Sequence, residues 1–294
     1  MKRLPDTDLL GDTPVTGADR SRARISFVGA GPGAADLLTV RAIRLLAQAD
    51  VVLHDALGCE EALQFCPQAS RVAVGKRAGG KSVEQSFINQ QLVALASQGL
   101  HVVRLKGGDP TIFGRLDEEI SAAVNAGIAY DITPGITAAS AAAATAGATL
   151  TQRGSARAVT LVTPAVGKDE QANPEWAQAA SSGATVAVYM AGRQLRRTAS
   201  QLLAAGFAAD TPALVAAGVS TADQSFEFST LRQIADGAPT RFKPGTPCVF
   251  LAGEAVRPRK QASRSADHKQ GASDQTDAAK LARAQAAQPV LTPA

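Results

Sequence analysis

Apolar and polar positions along the chain alternate between two periods. Short runs rich in apolar residues occur at Ile25–Val28, Val51–Leu53, Arg71–Val74, His101–Leu105 and Ala129–Ile132. Each is short enough for a buried strand. Between them the apolar residues recur at helical spacing. Asp36–Ala47 carries Leu37, Leu38, Val40, Ile43, Leu45 and Leu46 on one broad face, and Ser82–Ser97 carries Phe87, Ile88, Leu92, Val93 and Leu95. Further helices are predicted over Leu116–Ala126 and over Ile136–Ala146, the latter Ala-rich. Strand–helix alternation of this kind predicts βαβ units, a parallel sheet and helices packed on it.

The pattern pauses at Leu150–Arg157 and restarts at Val159–Val162. Strands are then predicted at Thr185–Tyr189, Leu214–Ala217, Phe226–Phe228 and Val249–Leu251, with a helix over Leu195–Ala205. Closely spaced strands in this half predict a mixed sheet. The reading is an α/β chain of two domains, 25–150 and 151–256, flanked by a polar lead (1–24) and an Ala/Gln/Ser-rich tail (257–294) without an apolar period.

Composition changes this picture little, but charge sharpens it. The chain has 294 residues and a formal net charge of +4. Residues 1–24 carry +1 of it and residues 257–294 carry +4, leaving the body 25–256 at −1. Aromatics make up 4 % of the residues, too few for a base-stacking platform. No nucleic-acid partner is therefore expected. Three scattered cysteines and three histidines argue against a disulfide framework or a zinc site, so no metal is expected. No secretory h-region and no membrane span is legible, and the cytoplasm is the expected compartment.

Candidate chemistry gathers where predicted strands end. Val28-Gly29-Ala30-Gly31-Pro32-Gly33 follows the first strand. It approximates a dinucleotide turn, but Pro32 removes an amide that a pyrophosphate would use. Taken alone, it reads equally well as a tight turn. Arg104-Leu105-Lys106-Gly107-Gly108-Asp109-Pro110 ends the fourth strand, offering bare amides and a carboxylate that suits hydroxyl or cationic groups better than phosphate. Thr133-Pro134-Gly135-Ile136-Thr137-Ala138 opens a helix, and capping by Thr137 alone would account for it. His54-Asp55 and Gly75-Lys76-Arg77 end two more strands. In an open α/β sheet ligands bind outside the carboxyl ends of strands, so these motifs share one rim.

Together the segments VGAGPGAADLLTVRAIRLLAQADVVLHDAL, VGKRAG, VVRLKGGDPTIFGR, TPGITAASAAAATAGATLTQRG and VAVYMAG resemble the uroporphyrinogen-III C-methyltransferases of the tetrapyrrole methylase superfamily. The resemblance covers about residues 25–256. It implies a two-domain fold with a mainly parallel N-terminal sheet, a mixed C-terminal sheet and the active site in the cleft between them. It implies S-adenosylmethionine as cofactor, released as S-adenosylhomocysteine. It also implies methylation of uroporphyrinogen III at C-2 and C-7 to precorrin-2, for sirohaem or corrinoid synthesis, by a homodimer.

By the same resemblance Pro32, Gly107, Gly108, Asp109, Ile112, Thr137, Ala138, Met190 and Val219 correspond to cofactor contacts. Asp55 corresponds to the proton acceptor and Lys76 to the proton donor. Arg77, Lys106, Arg115, Arg153 and Arg157 lie in motif loops and are candidates for the substrate's carboxylates. The chain departs from the pattern mainly on the substrate side, with Ala56 for Arg, Leu116-Asp117 for Gly-Gly and Gln152 for His. A methylase of a later precorrin, an RNA methylase and a non-catalytic binding module are the alternatives.

Overall fold

The computed structural model describes residues 23–55, 58–74, 84–164, 175–180, 183–192, 194–238, 242–243 and 245–259. Lys76 and Arg77 lie outside the described residues, as do 1–22 of the expected lead and 260–294 of the expected tail.

The first half runs β1 (Arg24–Gly29), α1 (Val40–Ala47), β2 (Val51–His54), β3 (Ser70–Ala73), α2 (Gln85–Ser97), β4 (His101–Lys106), α3 (Leu116–Asn125) and β5 (Ala129–Thr133). Its five strands are all parallel, in the order β3-β2-β4-β1-β5. The helix predicted from Asp36 begins only at Val40. Leu38 is extended, and the Thr39 side chain accepts from the amide of Ala42, so Thr39 starts the helix. Residues Ala35–Leu37 form a short 3-10 turn instead.

Alternating side chains of these strands enter two cores. Val28, Val52, Val103 and Leu105 meet Ala42 and Leu46 of α1 on one face. Ile25, Phe27, Leu53 and Val102 meet Ile88 and Leu92 of α2 and Leu116 and Ala123 of α3 on the other. Right-handed crossovers require this split, because the chain moves one way across the sheet after β1 and the other way after β4. The loops after β1 and β4 therefore leave adjacent strands toward opposite faces, the topological switch point at which such sheets bind ligands.

The second half contains α4 (Ala138–Thr145), β6 (Val159–Val162), α5 (Glu175–Gln178), β7 (Thr185–Tyr189), α6 (Leu195–Ala204), β8 (Pro212–Ala217), β9 (Ser225–Thr230), α7 (Leu231–Ala235) and β10 (Cys248–Ala252). The sheet order is β6-β7-β10-β8-β9. Only β6 and β7 pair in parallel, which makes the sheet mixed. Helices α6 and α7 cover one face through Leu195, Leu202, Leu231 and Ile234. Helix α4 covers the other, where Ala139, Ala141, Ala142 and Ala143 meet Ala187, Leu214, Ala216, Val249 and Leu251. Alanine side chains let the helix backbone lie close to the strands. By packing, α4 belongs with this sheet, although it follows the first five strands in sequence.

Candidate active site

The site is assembled from loops at strand ends, and backbone contacts join them. Gly31 and Gly108 exchange two hydrogen bonds, of 3.1 and 2.7 Å, which tie the loop after β1 to the loop after β4. Asp109 reaches the next loop through Oδ2, which accepts from the amide of Gly135 at 3.1 Å. Its Oδ1 accepts from the amide and hydroxyl of Thr111, at 2.8 and 2.5 Å, so the Asp-Pro-Thr turn holds the carboxylate in place. A Cβ on Gly135 would lie 2.2 Å from the Gly108 carbonyl oxygen, and one on Gly29 would lie 2.6 Å from Gly135. The three strand ends approach to a distance that only glycine permits.

The second half joins this arrangement at two points. The Tyr189 hydroxyl, at the end of β7, lies 2.5 Å from the Thr137 hydroxyl and accepts from the amide of Ala139 at 3.3 Å. A side chain of the second sheet thus caps α4, and Met190 follows it directly. Tyr189 also packs on Phe113 of the loop after β4, with ring centroids 5.2 Å apart. The second point lies after β8, where a Cβ on Gly33 would sit 3.2 Å from the Thr221 side chain and 3.3 Å from the Ser220 carbonyl oxygen. Among the described residues four non-glycine positions have positive φ: Phe113 (51°), Arg115 (53°), Met190 (59°) and Ser220 (62°). All four lie in these loops. Left-handed backbone at non-glycine positions is strained and persists where surrounding structure imposes it.

The expected cofactor residues lie in these loops or directly beside them. Pro32, Gly108, Asp109, Ile112, Thr137 and Ala138 are half-buried, whereas Gly107 and Met190 are exposed. Val219 is the exception, because its side chain is buried among the α4 alanines and only its backbone can meet a ligand. S-adenosylmethionine fits this set. Nothing lies within 4 Å of where a Cβ of Gly108 would stand, so the Gly-Gly backbone borders open space. Amides, one carboxylate and a thioether suit a nucleoside that bears a sulfonium and no phosphate.

Asp55 ends β2 beside this region, its amide donating to the Leu105 carbonyl at 3.2 Å. The nearby Gly58 lies against the backbone of Gly31 and Pro32. Behind Asp55 runs a buried chain of charges. The Nη2 of Arg104 donates to Asp55 Oδ1 at 2.5 Å, and its Nε donates to Glu119 Oε1 at 2.9 Å. Lys106 Nζ donates to Glu119 Oε2 at 2.8 Å. Side-chain exposure is 32 % at Asp55 but 3 % at Arg104 and 0 % at Glu119. Burial opposes the charge on Arg104, yet Asp55 and Glu119 together hold its guanidinium above the ordinary value. Burial and then the neighbouring Arg104 charge push Lys106 down. The thiol of Cys59 is pushed up to about 12, by burial first and the Asp55 charge second.

Lys106 therefore points into the core toward Glu119, away from any substrate. Arg115 is exposed and holds Glu118 through two bonds of 2.6 and 2.7 Å. Arg153 is exposed at the tip of a tight 152–156 hairpin, and Arg157 is exposed beside it. Sequence reasoning passed over Arg104, Glu119 and Tyr189. A signal existed for the first two: Arg104 and Lys106 share one face of a strand with the apolar Val102, and Glu119 shares the buried α3 face with Leu116 and Ala123. Charges so placed require partners. Nothing local marks Tyr189, whose role depends on where α4 lands.

Among the described residues no three His, Cys, Asp or Glu side chains are grouped to hold a metal, and no helix is long and apolar enough to cross a membrane.

The profile of the Tetrapyrrole (Corrin/Porphyrin) Methylases matches residues 24–235. A Uroporphyrinogen-III C-methyltransferase of Paracoccus denitrificans is 43 % identical over 244 residues, which is 82 % of this chain and 85 % of that protein. Siroheme synthase 1 of Serratia proteamaculans is 42 % identical over 244 residues; the match covers 82 % of this chain and 50 % of that protein, so the chain spans about half its length. A crystal structure of the uroporphyrin-III C-methyl transferase from Thermus thermophilus complexed with S-adenyl homocysteine superposes with a TM-score of 0.69. It is 32 % identical, and the superposition covers 79 % of this chain and 98 % of that one. With the parallel and mixed sheets and the joined strand-end loops, these matches place the chain in the tetrapyrrole methylase family.

Proposed function

We propose that the protein methylates uroporphyrinogen III at C-2 and C-7, giving precorrin-2 for sirohaem or corrinoid synthesis. The observation that carries this reading is the joining of the strand-end loops around Gly108 with Asp55 beside them. The identity with the Paracoccus methyltransferase, over most of its length, supports the choice of acceptor.

S-adenosylmethionine, when bound, supplies a methyl group that is already electrophilic. The chain's residues then have to bind, orient and move one proton for each methyl group transferred. Pro32, Gly107, Gly108, Ile112, Thr137, Ala138, Met190 and the backbone at Val219 hold the cofactor, and Asp109 accepts from its hydroxyl or amino groups. Holding donor and acceptor in line can supply about 7–11 kcal/mol of the barrier. Asp55 takes the proton that the methylated ring must lose. Lys76 is assigned as donor by family resemblance, and Arg77 is a candidate for the substrate's carboxylates as a basic residue of the same motif loop. Arg153 and Arg157, which are exposed, and Arg115, once it exchanges Glu118 for substrate, meet the substrate's carboxylates, a task suited to forked guanidinium groups. Lys106 acts from below, through Glu119.

The reading places the site in a cleft between two α/β domains of a cytoplasmic homodimer. Tyr130 and Ile132 of the edge strand β5 are exposed apolar side chains, a surface that a second copy would cover. Sedimentation of the protein tests that point.

Protein incubated with S-adenosylmethionine and uroporphyrinogen III should give a product two methyl groups heavier by mass spectrometry. A gain only with a later precorrin would move the acceptor. Cofactor binding without turnover on any tetrapyrrole would make the protein a binding module. Asp55→Asn should lower turnover while leaving cofactor affinity nearly unchanged; full activity in that variant would remove Asp55 from the reaction.

A further inference from the structure

We propose that Arg104 is a positioning residue for Asp55, held by Glu119 and Lys106 so that the carboxylate presents one fixed orientation to substrate. The inference rests on the reading of Asp55 as proton acceptor.

Arg104 stands in the middle of the first sheet. Its neighbours Val103 and Leu105 are fully buried, and its own side chain shares the face covered by α2 and α3. A guanidinium there is tolerated only if its donors are paired. Its three nitrogens are directed three ways: Nε to Glu119 Oε1 at 2.9 Å, Nη1 to the Leu105 carbonyl at 3.1 Å and Nη2 to Asp55 Oδ1 at 2.5 Å. Because the guanidinium is planar, anchoring two of them determines where the third points.

The anchor is itself secured. Glu119 is 0 % exposed, and its Oε1 also accepts from Gln85 of α2 at 3.1 Å. Its Oε2 is taken by Lys106 at 2.8 Å. Asn89 of α2 donates to the Glu118 carbonyl at 3.2 Å, which ties α2 to the start of α3. Asp55, Arg104, Glu119 and Lys106 are two carboxylates and two cations, so the chain is neutral when all four are ionised. Three members are closed off in the core, and only Asp55 reaches the open side. Buried ion networks contribute little to stability compared with apolar packing, and their best-supported use is geometric specification. Here the specified geometry is that of the one partly exposed carboxylate.

The test compares Arg104→Gln, Arg104→Lys, Glu119→Gln, Asp55→Asn and the Arg104→Gln/Asp55→Asn double variant. The readouts are kcat and KM for methyl transfer to uroporphyrinogen III, the Kd of S-adenosylhomocysteine and thermal unfolding. Arg104→Gln should lower kcat by about 10- to 100-fold, the scale of a misplaced reacting group, with the Kd within about two-fold of wild type. Arg104→Lys should recover part of that loss, and Glu119→Gln should lose less than Arg104→Gln. The double variant should be no slower than Asp55→Asn alone, because Arg104 acts only through Asp55. If Arg104→Gln does not fold, Glu119→Gln combined with Asp55→Asn carries the same comparison.

Losses that multiply in the double variant would overturn the proposal, as would a wild-type kcat in folded Arg104→Gln. Both presuppose a slow Asp55→Asn. If Asp55→Asn is itself fully active, the reading of Asp55 falls, and the positioning role falls with it.

Discussion

Replacing Gly135 with alanine would put a methyl carbon 2.2 Å from the Gly108 carbonyl oxygen and 2.9 Å from Cα of Gly29. Both neighbours are backbone, so no side chain can swing aside. Restoring an ordinary contact requires one strand end to retreat by about 1 Å. The bond from the Gly135 amide to Asp109, now 3.1 Å, would stretch toward roughly 4 Å and be lost. Overpacking of this kind costs about 1–3 kcal/mol. At roughly 2–4 °C per kcal/mol for a chain of this size, Tm should fall by about 2–12 °C. The larger effect should be on function, since a shift of about 1 Å in a positioning group can cost on the order of 100-fold in rate. Calorimetric titration with S-adenosylhomocysteine and a methyl-transfer assay measure the loss. Gly127→Ala is the control. That residue has φ +66° and nothing within 4 Å of a new methyl, so it isolates backbone strain away from the loops. A Gly135→Ala variant with wild-type cofactor affinity, and no more thermal loss than Gly127→Ala, would refute the view that glycine contact sets the loop geometry.

Further outcomes follow from single contacts. Tyr189→Phe keeps the ring against Phe113 but removes the hydroxyl that caps α4; it should cost about 1 kcal/mol in denaturant unfolding and weaken cofactor binding. Glu119→Leu leaves Arg104 and Lys106 buried without their shared partner and should destabilise the fold by about 3–5 kcal/mol, measured the same way. His101 is buried against Ser26 and the Gln48 carbonyl, and burial lowers its pKa from 6.5. The unfolded chain then binds the proton more readily than the folded one. Stability from this group is therefore complete above pH 6.5 and declines as pH falls toward the lowered folded value. Melting curves across that window should slope less in His101→Gln, and an unchanged slope would show that other groups control it.

Much of the fold was legible because burial leaves a period in the sequence. Continuous apolar strands such as Val51–Leu53 and Val102–Val103 lie within a sheet covered on both faces, and the intervening helices follow the 3.6-residue period. Helix starts were less legible. Leu37 and Leu38 continue the apolar pattern, but the cap at Thr39 decides where α1 begins. Short elements such as α5 and α7 carry too few turns to show a period.

The candidate site divides in the same way. By itself the sequence determined where the constrained loops fall, because Gly-Gly-Asp-Pro and Pro-Gly-Ile-Thr carry their backbone constraints locally. It also showed that the net charge resides in the ends, while the body is nearly neutral. The tertiary structure alone decided which charges stay open to solvent and which are paired in the core. Lys106 and Arg115 look alike as cations in motif loops, yet one ends on Glu119 in the core and the other on Glu118 at the surface. The difference comes from strand pleat and helix phase, which set Lys106 on the α3 side of the sheet. Tyr189 was decided later still, because a hydroxyl becomes a helix cap only when two segments 50 residues apart pack together.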